Sequence, residues 1–597
     1  MPEFDAVFEV SSEAGRKVGG IYTVLRTKAK AAMGKFGADN YFLFGRYEPS
    51  TAKEEFSEEK PSAEIAAVFS ALEREGIKCR IGKWTCGSSA RLILIDSWGF
   101  GQRETAVSYG IGKDSKLNQI KYDLWKTWGI DSLFMGGDFN ENVIWSTAVG
   151  IAIERLLEAP QFKGKRIVCQ FHEWISGAGL LYLKQKKCPV ATVFTTHATV
   201  LGRSKTTFGE NLSRTVEAGL AQGNVASSEE AYRFKLEGKH FMEVACAKNA
   251  DAFTTVSETV GREVEYILGK KPDVITLNGI EFSKGTNGKR EPKREEIENL
   301  VHGMFLPQEI LKTESALFVY LTARYEFENK GIDYFIDAAG ILNKKNLPRQ
   351  LYFFVFVPSN VSGPNKQILQ NVSIIDRMRE AFEEISGKNE PLSKILALAK
   401  GDGKYSEVSK LWKNLLAFQS PPIAAFDLNY PTDAVISRCA LAGLANSPGS
   451  NVKIIFYPTY IKPGDGILNL EYDGVMLGCD VGVFPSRYEP FGYTPVEAAL
   501  AGNIAVTTDY SGFGKFISGN FGETSGRGVC VVRTSGRTDP EIAAEVAGII
   551  ERIADSSDEQ VAEMKKDALE MIKSLDWEIQ IENYITAYAL AGKKAFI

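Results

Sequence analysis

Leu317-Phe-Val-Tyr-Leu-Thr-Ala-Arg-Tyr-Glu-Phe-Glu-Asn-Lys-Gly331 joins two kinds of sequence end to end. Leu317–Ala323 is short, almost wholly apolar and bounded by charge, which reads as a strand buried on both faces. The segment after it places Arg324 and Lys330 in one loop and closes on a glycine. The same alternation runs along the chain. Val7–Val10, Tyr41–Phe44, Leu92–Ile95, Ile167–Phe171, Thr192–Thr196 and Phe253–Val256 read as buried parallel strands in the first half. Leu317–Ala323, Leu351–Val357, Ile454–Tyr457, Val481–Pro485, Ile504–Thr508 and Val529–Val532 repeat the pattern in the second. Helical segments separate them, so the spacing predicts an α/β chain with two Rossmann-like, doubly wound parallel sheets. Ligands of such sheets sit outside the carboxyl ends of the strands, and the expected site is a deep cleft between two facing domains.

The hinge is expected near Pro272–Gly279. Residues 283–313 and 364–420 fit the alternation poorly and read as helical insertions. The second carries the amphipathic run Ile375-Asp-Arg-Met-Arg-Glu-Ala-Phe-Glu-Glu-Ile. Packing on its own domain is the plainer reading, and a homo-oligomer contact is the other.

At 597 residues, 44% hydrophobic and 24% charged, the chain has the composition of a multi-domain globular protein. A net charge of −5 gives nucleic acid no electrostatic partner, and Lys284–Arg294 reads as a solvated loop. The eight cysteines are scattered without a C-x-x-C pair, as expected for reduced thiols in a cytoplasmic protein without a structural metal. Met1-Pro-Glu-Phe-Asp has no apolar signal region, and the longest apolar runs are strand-sized, so no membrane partner is expected.

Phe484-Pro-Ser-Arg-Tyr-Glu-Pro-Phe-Gly-Tyr-Thr-Pro-Val-Glu497 carries the most chemistry. Glu489 falls in a tight turn that has no structural need of an acid. Thr494 as N-cap, Pro495 at the first helical position and Glu497 three residues past the cap read as a helix start with a capping box. Backbone N–H groups and the positive end of the helix dipole then face an anion. Arg324 and Lys330, after a strand end, suit a diphosphate; surface pairing of Arg324 with Glu326 or Glu328 is the competing reading. Glu13-Ala-Gly-Arg-Lys-Val-Gly19-Gly20 follows the first strand and opens a helix, where glycines let a phosphate or sugar approach the backbone. It lacks the G-x-G-x-x-G spacing of a nicotinamide fold. Of four histidines, His172 reads as a structural residue with Glu173 and Trp174 as neighbours, and His197, six residues before Arg203, as a substrate contact. No D-x-D occurs, which argues against a metal-chelated diphosphate.

On these residues the chain resembles glycogen synthases of the animal and fungal type, glycosyltransferase family 3. The resemblance covers Val7 to about Ala589. Its anchors are Lys17-Val-Gly-Gly-Ile-Tyr22, Phe171-His-Glu-Trp174, Thr195–Arg203, Phe253–Ser257, Arg324–Gly331, Tyr488–Glu497 and Ser511-Gly-Phe-Gly514. It implies a two-domain GT-B fold, with an acceptor domain over 1–275, a nucleotide-sugar domain over 276–575, and a terminal helix, 576–597, crossing back. It further implies retaining transfer of glucose from UDP-glucose to an α-1,4-glucan (glycogen or malto-oligosaccharide), with no cofactor. Arg324 and Lys330 would hold the diphosphate, assisted by Gly19, Gly20 and the N–H groups of Gly492, Tyr493 and Thr494. Glu489 and His197 would contact the glucose, Arg203 the phosphates, Glu497 the ribose and Tyr472 the uracil. Regulated members carry an Arg-rich helix; here Met564–Leu575 has Lys565, Lys566 and Lys573 and no arginine, and no Ser-rich tail follows. A compact, unregulated microbial version is the expectation. An ADP-glucose-dependent glucan synthase and a non-catalytic glucan-binding scaffold are the alternatives.

Overall fold

The computed structural model describes residues 4–102, 115–282, 290–401 and 403–596. It divides into two compact units, Met1–Phe282 with Ser574–Ile597, and Ser283–Lys573.

The first unit is built on β1 (Ala6–Val10), β2 (Tyr41–Arg46), β3 (Phe56–Glu58), β4 (Lys78–Trp84), β5 (Arg91–Asp96), β6 (Ile167–His172), β7 (Val190–Thr196), β8 (Ala252–Thr255) and β9 (Val274–Ile275). They form one sheet in the order β3-β4-β5-β2-β1-β6-β7-β8-β9. All neighbours run parallel except β3–β4 and β4–β5, which are antiparallel. Lys-Cys-Arg-Ile-Gly-Lys-Trp of β4 mixes exposed Lys78, Arg80 and Lys83 with buried Ile81, Gly82 and Trp84, so it lacks the apolar run that marks a two-faced strand. The stretch Pro272–Gly279 holds β9, and the chain leaves the unit after Phe282.

The terminal helix Trp577–Ala595 belongs to this unit. Trp577 Nε1 donates to Thr27 Oγ1 at 2.7 Å, and Tyr588 Oη donates to Gln170 Oε1 at 2.5 Å. Asp576 caps the helix by accepting from Glu578 N.

The second unit contains β10 (Leu317–Thr322), β11 (Leu351–Phe356), β12 (Val361–Pro364), β13 (Phe426–Leu428), β14 (Val452–Tyr457), β15 (Val481–Val483), β16 (Ile504–Thr508) and β17 (Val529–Val532). Six of these form a wholly parallel sheet, β14-β11-β10-β15-β16-β17, and β12 and β13 pair antiparallel beside it. Every residue of β10, β11, β14 and β16 is buried. Each buried Val, Leu, Ile or Phe contributes about 1.5–3 kcal/mol over exposure, so these runs, not the charged loops, hold the unit together. The expected insertion is helical: Lys366–Ser386, Leu392–Gly401 and Ser406–Trp412 pack into a core of their own around Ile375, Met378, Phe382, Ile395 and Val408. Of Lys284–Arg294, residues 284–289 lie outside the described residues; the rest opens the helix Arg290–Phe305, which corrects the solvated-loop reading.

In both sheets the chain moves outward from the first strand and then returns to its other side. The reversal falls between β1 and β6, and again between β10 and β15. These are the two doubly wound sheets, and ligands of such sheets bind where the order reverses. Among the described residues no helix is long and apolar enough to cross a membrane.

Candidate active site

In the second unit the loops after β10 and β15 meet at the reversal. Lys330 Nζ lies 2.6 Å from Glu489 Oε2, with the two side chains 14% and 23% exposed. Arg487 fixes the loops to each other. Its backbone N–H donates to Asn329 O, and its guanidinium forks onto Asp333 at 2.8 and 2.7 Å while covering the Tyr334 ring. Gly331 (φ +66°) passes so close to Pro485 that an added Cβ would sit 2.0 Å from its carbonyl oxygen. Only glycine fits there, and its left-handed backbone turns Lys330 toward Glu489.

Glu489 is also gripped by its backbone, since Glu489 O accepts from Gly512 N at 3.0 Å and Phe491 O from Phe513 N at 2.7 Å. The helix after this turn runs Tyr493–Leu500 with Gly492 (φ +102°) as N-cap. Thr494 is therefore the second helical residue, and the expected capping box is corrected: a left-handed glycine starts the helix earlier than the Thr-Pro pair suggests. Glu497 instead accepts from Tyr472 Oη at 3.4 Å, and that hydroxyl meets Thr322 Oγ1 at 3.1 Å. Burial and the Glu497 carboxylate push the Tyr472 phenol up. Arg324, two residues beyond Thr322, is 75% exposed and pairs with Glu326 at 2.8 Å.

In the first unit, His197 is 6% exposed and sits just past β7. Its Nε2 is 2.9 Å from His172 Nδ1, and His172 Nε2 is 2.7 Å from Glu9 Oε1. Glu9 also takes Lys28 Nζ at 2.5 Å and the Tyr41 hydroxyl at 2.5 Å, and all these groups are buried. Although burial opposes its charge, Lys28 and His172 hold the Glu9 carboxyl at about 2. Burial, His172 and Arg203 push the His197 imidazole well below its ordinary value, so it is neutral.

Carboxylates also hold the backbone around His197. Glu173, at φ +63°, accepts from His197 N and Ala198 N at 2.9 and 3.1 Å. Glu263 accepts from Thr199 N at 2.7 Å, and Glu243 from Val200 N at 3.1 Å. A non-glycine residue in that conformation is strained, and such strain clusters at functional sites. Desolvation lifts the Glu173 carboxyl to about 7. Thr199 caps the helix Val200–Thr207 that carries exposed Arg203. The field of Arg203 reaches Glu13, whose carboxylate accepts from Gly19 N at 3.0 Å and Tyr22 N at 2.9 Å. Gly19 therefore spends its N–H on Glu13, and Gly19 and Gly20 are both exposed. Trp174 stacks on Phe139 at 5.9 Å under Lys239.

Among the described residues no group of three or more His, Cys, Asp or Glu side chains is placed to hold a metal ion. All eight cysteines are free thiols.

The glycogen synthase family model matches residues 9–597. The chain belongs to the glycogen synthase family. It is 28% identical to the glycogen [starch] synthase of Neurospora crassa over 99% of this chain and 84% of that protein. It is equally similar, at 28%, to the Caenorhabditis elegans protein of that name (96% and 86% covered) and to the human liver one (99% and 84%). Among solved structures, the catalytic domain of starch synthase IV from Arabidopsis thaliana aligns over 99% of both chains at 14% identity, with a TM-score of 0.49.

Within this family member, sequence reasoning passed over the residues that hold the site in shape. Glu9 and Gln170 had a readable signal, since each interrupts an apolar strand buried on both faces. Arg487, Asp333, Glu243 and Glu263 had none, because their partners are remote in sequence. The Met564–Leu575 segment falls in the helix Asp558–Met571 and the turn after it. Its Lys565 is bound to buried Asp480 at 2.7 Å, which also takes Arg294 at 2.8 Å and Arg290.

Proposed function

We propose that this family member is a retaining glycosyltransferase moving glucose from UDP-glucose to the non-reducing end of an α-1,4-glucan. The observation that supports this most is the Lys330–Glu489 pair at the β10/β15 reversal, an acid and a cation joined at 2.6 Å in a partly buried loop pair. Breaking the bond between glucose and diphosphate leaves negative charge on the phosphates and positive charge on the sugar ring. Lys330 and Arg324 take the first charge, helped by the N–H groups at Gly492–Thr494. Glu489, released as Lys330 turns to the diphosphate, faces the second. Preorganised groups of this kind are typically worth roughly 3–4 kcal/mol each, or ~10²–10³ in rate. Tyr472 and Glu497, already hydrogen-bonded to each other, are assigned to the base and ribose. His197 and Arg203 are assigned to the glucose and phosphates, and exposed Gly19 and Gly20, with no side chains in the way, to close approach of the donor.

The test supplies glycogen with labelled UDP-glucose or ADP-glucose and digests the product with β-amylase. Label released as maltose from the UDP-glucose reaction supports the proposal. Transfer only from ADP-glucose reassigns the donor, and binding of glycogen without transfer from either donor makes the chain a scaffold.

A further inference from the structure

Glu9, His172 and His197 form one line of hydrogen bonds, and the chemistry of its ends fixes the order of protons along it. Glu9 lies at the closed end, with Lys28 Nζ on Oε1 and the Tyr41 hydroxyl on Oε2. An ionised carboxylate only accepts, so the proton on the 2.7 Å contact between His172 Nε2 and Glu9 Oε1 belongs to the histidine. Neutral His172 then has a bare Nδ1, which accepts at 2.9 Å from His197 Nε2–H. Neutral His197 is left with a bare Nδ1, and that atom makes no hydrogen bond among the described residues.

We propose that Glu9 and His172 are positioning residues that lock His197 in the Nε2–H tautomer, so that it meets a substrate hydroxyl as a hydrogen-bond acceptor. This rests on the reading above that His197 touches the donor sugar. A histidine with a free choice of tautomer offers a donor or an acceptor as the solvent dictates; a locked one reads only a hydroxyl that can give its proton.

The surroundings keep the chain in this state. His197 faces His172 from β6, Glu9 from β1, Lys28 from the helix Gly20–Phe36 and Arg203 from the helix Val200–Thr207. Three of these four are basic, and burial adds to them, so the imidazole stays neutral through the working range of pH. Gln170 extends the line: its Oε1 lies 3.5 Å from Lys28 Nζ and accepts from Tyr588 Oη at 2.5 Å on the terminal helix. The Tyr584 ring of the same helix covers Lys28 at 4.1 Å.

The experiment is ¹⁵N NMR of the histidine rings in the full chain, with signals assigned by single His→Asn changes; four histidines make this tractable. The proposal expects a pyridine-type Nδ1 and a pyrrole-type Nε2 for His197. Glu9→Gln keeps an amide oxygen between Lys28 and His172 Nε2 and so keeps the order of protons, whereas His172→Leu removes the acceptor of His197 Nε2–H and lets Nδ1 become a donor. Transfer from UDP-glucose should then fall about tenfold or more in kcat, the loss of one well-placed hydrogen bond plus the misfit of a second donor. His172→Gln keeps an N–H toward Glu9 and an oxygen toward His197 and should retain most activity, whereas His172→Leu should not. A protonated Nδ1 on wild-type His197, or unchanged kcat in a folded His172→Leu chain, overturns the proposal. The expected tautomer in a wild-type chain that transfers no sugar supports the proton order and breaks the assignment of the substrate instead.

Discussion

His197 in the first unit and Glu489 in the second are held by opposite means. Every polar partner of His197 lies inside the fold: a carboxylate on its backbone, a second histidine on its ring, and behind that a buried ion pair. Glu489 has its backbone pinned, but among the described residues its carboxylate is tied only to Lys330, with both side chains touching solvent. Arg324 is looser still, three quarters exposed on Glu326. The first arrangement is expensive to disturb and so defines a fixed shape. The second consists of ion pairs whose net worth in water is about 0–1 kcal/mol, so an incoming diphosphate can take the cations from their present partners. Shape is stored in one unit and exchangeable charge in the other.

The contrast fails first if Lys28 is dispensable. Lys28→Met strands the Glu9 charge in the core and should cost about 3–5 kcal/mol by urea unfolding. Lys330→Met should cost less than about 1 kcal/mol. Equal losses would erase the distinction. The same comparison sharpens in function, because Lys330→Ala should reduce kcat/KM for the donor by ~10²–10³ while the melting temperature barely moves.

Arg324→Ala comes next. Donor affinity by calorimetry should weaken roughly tenfold to hundredfold, the worth of one or two charge-assisted hydrogen bonds, with no change in stability. Unchanged affinity would leave Arg324 as the surface partner of Glu326 and nothing more.

The smallest effect near neutrality is the dependence on pH. Glu9 sits at about 2 against an ordinary 4.5, so between those values the unfolded chain binds more protons than the native one. The stability from Glu9 is complete above pH 4.5 and is lost as pH falls toward 2. Glu173, lifted to about 7, works in the other direction and takes stability away as pH rises from 4.5 to 7. Urea midpoints should therefore fall steeply below pH 4.5 in the wild type and less steeply in Glu9→Gln. Parallel curves would show that Glu9 is not held ionised.

The parallel strands were legible because burial on both faces demands an unbroken apolar run, and Leu317–Thr322 or Leu351–Phe356 satisfy it in one reading. Strand β4 was not, because exposed Lys78, Arg80 and Lys83 break the apolar run that the parallel strands show. In the candidate site, Arg324, Lys330 and His197 could be picked out by their position after a strand end, and Glu489 as an acid in a turn that needs none. What those residues touch could not. The partner of Lys330 lies 159 residues away, and that of His172 lies 163 away. The start of the helix after Gly492 was misplaced for a local reason: Thr-Pro-x-Glu favours a cap at Thr494, but the left-handed glycine two residues earlier had already turned the chain.

The most direct measurement sets turnover beside donor affinity in Glu489→Ala. With UDP-glucose and glycogen, kcat should fall by ~10²–10³, while UDP-glucose binds about as well as to wild type or better, because Lys330 is left free for the diphosphate. Near-normal turnover in that variant would contradict the account.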